Sequence, residues 1–146
     1  MQEFKKQIEI RWADLDPNFH VRHSVYYDWG AYCRMCFLTE NEITPKLMSE
    51  LHFGPILFRE ECVFRKEIHF GDPLSINLQL IRAKSDFTRW SFRHELVKNE
   101  SELAAVITVD GAWIDTIRRR LAAPPSQVTA SFEKIPQSSD FEWINK

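Results

Sequence analysis

The sequence lacks a strong charge of either sign. Its 146 residues carry 19 Lys and Arg against 21 Asp and Glu, formally −2, so nothing demands a nucleic-acid partner. It lacks a long apolar run. Charged residues recur from Glu3 onward, so neither a signal peptide nor a membrane span is expected. It has few cysteines, and Cys33, Cys36 and Cys62 are an odd number without disulfide-framework spacing. That favours a reducing compartment. No repeat, linker or low-complexity segment interrupts the chain. The expectation is a soluble, cytoplasmic protein with residues 1–146 in a single domain, long enough for one sizeable core and too short for two.

What the chain does have is clear periodicity. Phe4, Ile8, Ile10 and Trp12 alternate with Lys5, Gln7, Glu9 and Arg11, the pattern of a strand with one buried face. Ser24 then stands where a helix N-cap belongs, with Asp28 near the positive end of the dipole. Val25, Trp29, Tyr32, Cys33, Cys36 and Phe37 recur at steps of three and four, which predicts a helix running to Glu40. Tyr26, Tyr27, Gly30, Ala31, Met35 and Leu38 make its other faces apolar or small too, so it should be covered on most sides.

Residues 41–54 read as a connector with a short amphipathic piece at Lys46 to Leu51. Four strand-like stretches follow, at 56–70, 74–80, 88–97 and 103–116. In the first, Phe58, Cys62, Phe64, Ile68 and Phe70 alternate with Arg59, Glu61, Arg65 and Glu67, until Gly71-Asp72-Pro73 breaks the pattern. The last is more continuously apolar, as suits a strand with neighbours on both sides. Ser126 to Lys134 reads as a short helix and 135–146 as a loosely held tail. The order predicts an α+β fold with a five-stranded, mostly antiparallel sheet wrapped around one long central helix. Strands this long leave an edge, which a symmetric homo-oligomer would cover.

The junction between first strand and helix, Arg11 to Tyr26, holds two carboxylates, Asp14 and Asp16, and two imidazoles, His20 and His23. The first N–H groups of a helix have no partner within it and point at whatever sits there. That combination reads as an active site.

Asp14-Leu15-Asp16-Pro17-Asn18-Phe19-His20-Val21-Arg22-His23-Ser24-Val25-Tyr26 resembles the D-x-D-x-x-G-H-V-N-x-x-x-Y signature of the 4-hydroxybenzoyl-CoA thioesterase family, which has the hotdog fold. The order of elements, Gly71-Asp72 before a strand and Pro124 after the last one extend the resemblance over most of the chain. It implies an acyl-CoA thioesterase acting on a small-molecule substrate, with no cofactor, no metal and no nucleic-acid or membrane partner. The resemblance also implies a site at a subunit interface of a homodimer or homotetramer. Asp16 matches the acting carboxylate, general base or nucleophile, and His23 falls where some relatives have a histidine and others polarise the carbonyl through the backbone N–H. Tyr26 matches the signature tyrosine, and His20 and Ser24 are the further substrate-binding candidates. The chain departs from the pattern at Phe19 in place of glycine, Arg22-His23 in place of paired asparagines, and Ala31 where many relatives carry a glutamate.

Other readings stand beside these. Asp16 can be an Asx-turn residue ahead of the helix. A non-catalytic acyl-CoA or acyl-carrier-protein binding module on the same scaffold is the alternative function. A metal set of Asp14, Asp16, His20 and His23 is the weakest, since H-x-x-H in a loop carries little information. Cys33-x-x-Cys36 lies inside an apolar helix and reads as small core filler rather than a redox pair. Arg82, Lys84, Arg89 and Arg118–Arg120 are the candidates to meet coenzyme A phosphates.

Overall fold

Alternation over long, turn-bounded runs makes the sheet, and the computed structural model describes residues 2–144 of it. The elements are β1 (Phe4–Ile8), α1 (Val25–Glu40), α2 (Pro45–Leu51), β2 (Phe53–Phe64), β3 (Leu74–Ala83), β4 (Arg89–Lys98), β5 (Glu102–Asp115), β6 (Arg120–Leu121), α3 (Ser126–Phe132) and β7 (Gln137–Trp143). The strands form one sheet in the order β1-β3-β4-β5-β2, with β6 beside β5 and β7 beside β3. The sheet curls around α1, which meets β1, β2, β3 and β5. Five strands are the expected ones; β6 and β7 are additions.

The helix buries Val25, Tyr26, Trp29, Gly30, Cys33, Phe37 and Leu38 against the sheet. Its opposite side is less covered than the sequence predicts, with Tyr32 49 % and Met35 37 % exposed in the single chain. Under the helix, β3 and β4 contribute Ile76, Leu78, Leu80, Trp90, Phe92 and Leu96 to the core. His94 follows the same inward phase as Trp90, Phe92 and Leu96 and is fully buried. Its Nδ1 faces the Asn77 carbonyl at 2.8 Å and its Nε2 faces an Arg34 guanidinium nitrogen at 3.0 Å. A carbonyl only accepts and a guanidinium only donates, so Nδ1 carries the proton and Nε2 accepts. Burial, with Arg34 beside it, pushes the imidazole down to about 3, so it stays neutral.

Three expectations are corrected. The first strand ends at Ile8, and a 3-10 turn at Trp12–Asp14 rotates Trp12 out to 69 % exposure. The second strand ends at Phe64, and a register shift between Leu57 and Arg59 resets its alternation. Phe58, at the shift, is turned out to 52 % exposure, while beyond it Cys62 packs against the core and Phe64 lies edge-on to Tyr26 at the open end of the strand, 51 % exposed. The tail, expected to be loosely held, forms β7 over 137–143; 145–146 lie outside the described residues. β1 pairs only with the Leu74–Leu78 part of β3. The rest of that edge is open, and β7 fills it in parallel from Leu80 to Ala83.

Candidate functional site

The link from β1 to α1 is itself a small hairpin. Arg22 N–H donates to the Asp14 carbonyl at 2.9 Å, Leu15 bridges Val21, and Asp16 N–H donates to the His20 carbonyl at 2.8 Å. The tip is a turn closed by Phe19 N–H donating to the Asp16 carbonyl at 2.9 Å. Phe19 takes φ +64° there, the left-handed conformation that a glycine adopts without penalty and that costs other residues about 1–2 kcal/mol. The outer leg is tied to the sheet by Val21 N–H donating to the Ile68 carbonyl at 2.9 Å and by a His20–His69 bridge.

Asp14 holds the base of this hairpin. Its fully buried carboxylate accepts from Arg11 N–H at 2.8 Å and from the Arg11 guanidinium at 2.7 and 3.1 Å. Burial by itself would raise the carboxyl, but the hydrogen bonds and charge of Arg11 outweigh it and hold Asp14 below the usual carboxylate range. A carboxyl depressed in the folded state adds stability above its unfolded value and loses it as pH falls through the folded one. The protein should therefore lose stability below about pH 4. Asp14→Asn should be less stable at neutral pH and lose less on acidification, read from denaturant midpoints over a pH series.

Asp16 sits at the neck of the hairpin, half-buried. One carboxylate oxygen, Oδ1, accepts from Asn18 N–H at 2.9 Å and His20 N–H at 3.1 Å. The other, Oδ2, has no hydrogen-bond partner among the described residues. The Asx-turn reading and the site reading thus describe two oxygens of one group. Asp16 shares a cavity with His20, His23 and Tyr26, closed on the far side by Phe64, Arg65, Lys66, Glu67 and Ile68 and holding about 340 Å³. Tyr26 is buried with its ring edge-on to Phe64 at 4.9 Å, and burial pushes its phenol up to about 12. It shapes the wall as a neutral group.

His23 is exposed on the cavity wall. Ser24 precedes the helix but does not cap it with its side chain; its Oγ accepts from Arg22 Nε at 3.2 Å, and it is not on the cavity wall. Neither His23 N–H nor Ser24 N–H finds an acceptor among the described residues, so both remain available at the helix entry. Asp14 is fully engaged with Arg11, which removes it from any metal set with the histidines. Ala31 lies on the exposed side of α1 and lines a different cavity.

That second cavity, about 230 Å³, runs along the later half of α1 between Ala31, Met35, Leu57, Trp90, Trp113 and Phe132. It shares no lining residue with the first. Cys33 beside it has its thiol pushed up to about 12 by burial, which makes it an inert core thiol.

The basic residues expected to meet phosphates are elsewhere. β2 pairs Phe64 with Ala105 at one end and Phe53 with Asp115 at the other. Arg82, Lys84, Arg89 and Arg118–Arg120 lie toward the Phe53 end, roughly 15–35 Å of strand from the Asp16 cavity. Arg65 and Lys66 stand at that cavity instead. Arg65 belongs to the charged alternation at 59–67, whereas Lys66 stands at an even position and interrupts it. Their proximity to Asp16 depends on the His20–His69 bridge, which no local pattern announces.

Solved structures of known proteins share this fold. A protein from Staphylococcus aureus solved in complex with CoA is 19 % identical, with 94 % of this chain and 89 % of that one covered at a TM-score of 0.83. A 1,4-dihydroxy-2-naphthoyl-CoA thioesterase from Synechocystis is 20 % identical over 91 % and 97 %, at 0.82. A DHNA-CoA thioesterase from Staphylococcus aureus is 14 % identical over 92 % and 91 %, at 0.80. These likenesses establish the hotdog fold. No curated protein matches the chain. Residues 10–132 match the model of the Thioesterase-like superfamily, a span that takes in the hairpin, α1 and the whole sheet apart from β1 and β7, and the chain belongs to that superfamily.

Proposed function

We propose that the protein hydrolyses acyl-CoA thioesters to the free acid and CoA at the Asp16 cavity. The observation that carries this is the pairing of an anchored carboxylate, with Oδ2 free, and the unpartnered amides of His23 and Ser24 at the entry of α1. A thioester carbonyl between them is attacked by water while Asp16 accepts the proton, or by Asp16 itself to give a mixed anhydride that water then opens. In either route the carbonyl oxygen becomes an oxyanion, which the free N–H groups stabilise; one such donor is typically worth about 10²–10³ in rate. Collapse breaks the C–S bond, and the CoA thiolate takes up a proton. Arg65 and Lys66 offer charge to the CoA phosphates at the cavity mouth.

Release of free thiol from a panel of acyl-CoAs tests the proposal. Turnover of at least one acyl class is the expected result. Tight binding without turnover would overturn it and assign the cavity to a non-catalytic acyl-CoA or acyl-carrier binding module, a reading that Ala31, in place of a second carboxylate, leaves standing.

The active unit is a homo-oligomer in this reading. β2 is a sheet edge, and it exposes Leu57, Phe58, Val63 and Phe64 at 44–52 %. An apolar edge of this length in a stable protein is normally paired or covered. Light scattering should give a dimer or tetramer mass, and Val63→Lys on that edge should shift it toward the monomer. No helix among the described residues is long and apolar enough to cross a membrane.

A further inference from the structure

The cross-strand bridge that ties the hairpin to the sheet also sets three metal-ligating side chains on one face. His20 pairs directly with His69, and Glu67 lies two residues before His69. In extended chain, positions i and i+2 point the same way, and directly opposed residues of an antiparallel pair carry their side chains on the same face. His20, His69 and Glu67 therefore converge by backbone geometry alone. His20 Nε2 is 3.3 Å from Glu67 Oε2, His69 Nε2 is 3.8 Å from the same oxygen, and one donor atom from each of the three lies within 4.8 Å of the others. The imidazole rings meet edge-on with centroids 5.0 Å apart.

We propose that His20, Glu67 and His69 form a binding site for a zinc-class divalent cation. This goes beyond the hydrolytic reading and does not depend on it. Zinc bonds to nitrogen and carboxylate oxygen of about 2.0–2.2 Å at tetrahedral angles put neighbouring donors about 3.4 Å apart. The His20–Glu67 and His69–Glu67 separations of 3.3 and 3.8 Å bracket that value, and closing the two imidazoles on each other from within 4.8 Å takes side-chain rotation of the exposed His69 and the half-buried His20. Two imidazoles and one carboxylate select zinc, cobalt, nickel or copper over calcium and magnesium, which take oxygen ligands. The set leaves a fourth position to solvent.

A second layer stands behind it. Asp72 Oδ2 accepts from His69 N–H at 2.8 Å and lies 3.8 Å from His69 Nδ1, the side of the ring turned away from Glu67. At 3.8 Å that contact is longer than a hydrogen bond; a rotation of the ring that closes it on metal binding would hold the proton on Nδ1 and leave Nε2 to ligate. Lys98 balances Asp72 at 3.9 Å and donates to the Glu67 carbonyl at 2.6 Å, fixing the backbone that carries Glu67. His20 N–H also donates to Asp16 Oδ1. A bound ion would thus clamp the hairpin carrying Asp16 onto the 67–72 segment.

The test uses the full-length, untagged, chelator-stripped protein, with Co²⁺ followed by its visible absorption and Zn²⁺ by calorimetry. One ion per chain, a tetrahedral cobalt spectrum displaced by zinc, and a zinc-dependent rise in melting temperature are expected. Glu67→Gln and His69→Ala should each weaken binding about tenfold or more, and Asp72→Asn about tenfold. His52→Ala, a histidine at the Phe53 end of the sheet, should leave it unchanged. Absence of stoichiometric binding overturns the proposal. So does binding that Glu67→Gln, an exposed substitution that leaves the hairpin's backbone bonds intact, does not weaken. None of these readouts requires thioesterase activity, so a failure here and a failure of the hydrolytic reading are separable.

Discussion

Asp16→Asn should abolish most thioester hydrolysis while leaving the fold in place. Asparagine keeps a side-chain oxygen that can accept from Asn18 N–H and His20 N–H, the two bonds that Asp16 Oδ1 accepts, so the turn survives. What it loses is the basic, nucleophilic character of the second oxygen. A well-placed general base contributes about 10²–10⁴-fold, so kcat should fall by at least about 100-fold. The fall should appear in kcat with KM little changed, because a group that acts on the reacting atoms stabilises the transition state more than the bound substrate. The melting temperature separates this from a structural effect: it should stay within a few degrees of wild type. An Asp16→Asn protein with unimpaired turnover would remove Asp16 from the chemistry.

Alternation and helical spacing made much of the fold legible. β3, β4, β5 and α1 stand where their apolar periods place them, and the α+β, sheet-around-helix arrangement follows from their order. The features that escaped share a cause: they are set by which segment of chain meets which, not by local pattern. The register shift at Leu57/Arg59 turns Phe58 outward although its spacing reads inward. Gln137-Ser138-Ser139-Asp140-Phe141-Glu142-Trp143 has too few apolar positions to announce a strand, yet it forms one because β1 leaves half an edge of β3 unpaired. The near wall of the candidate site, Asp16, His20, His23 and Tyr26, could be read because it lies in one short stretch. The far wall, Phe64 to Ile68, could not, because it arrives through the His20–His69 bridge. His94 is the exception that was available: it stands in phase with Trp90, Phe92 and Leu96, and a histidine on a buried strand face requires partners, which Arg34 and the Asn77 carbonyl supply.

Two glycines show how the core beneath α1 differs in tolerance, and one of them carries the largest stability effect expected. At Gly30 an added methyl would meet the end of Arg34 at 3.2 Å and the His94 ring at 3.4 Å. The first is the far end of a long side chain, but one held by its bond to His94 Nε2; the strain there opposes the gain of up to about 1 kcal/mol that alanine has over glycine in a helix interior, so Gly30→Ala should stay within about 1 kcal/mol of wild type. At Gly111 the same methyl would lie 2.3 and 2.5 Å from the Trp90 ring and 2.6 Å from the Ile56 carbonyl oxygen. The carbonyl cannot give way, and the indole could move only toward the cavity along α1 that it lines. The carbonyl belongs to β2, which pairs with β5 on both sides of this point. Trp90 is stacked on Phe92 at 4.7 Å and hemmed in by Trp113 and Phe132 at 6.1 and 6.2 Å. Overpacking a tight core costs about 1–3 kcal/mol and occasionally more, and overlap with both backbone and a confined indole places Gly111→Ala at the upper end. A cost of about 3 kcal/mol lowers the melting temperature by roughly 10 °C in a chain of this size. The clashing atoms belong to the six-membered part of the indole, which Trp90→Phe repositions and shrinks. In a double-mutant cycle the pair should therefore be less destabilised than the sum of the single changes. Strict additivity, or a Gly111→Ala protein as stable as wild type, would mean that the β5 backbone does not run this close beneath Trp90.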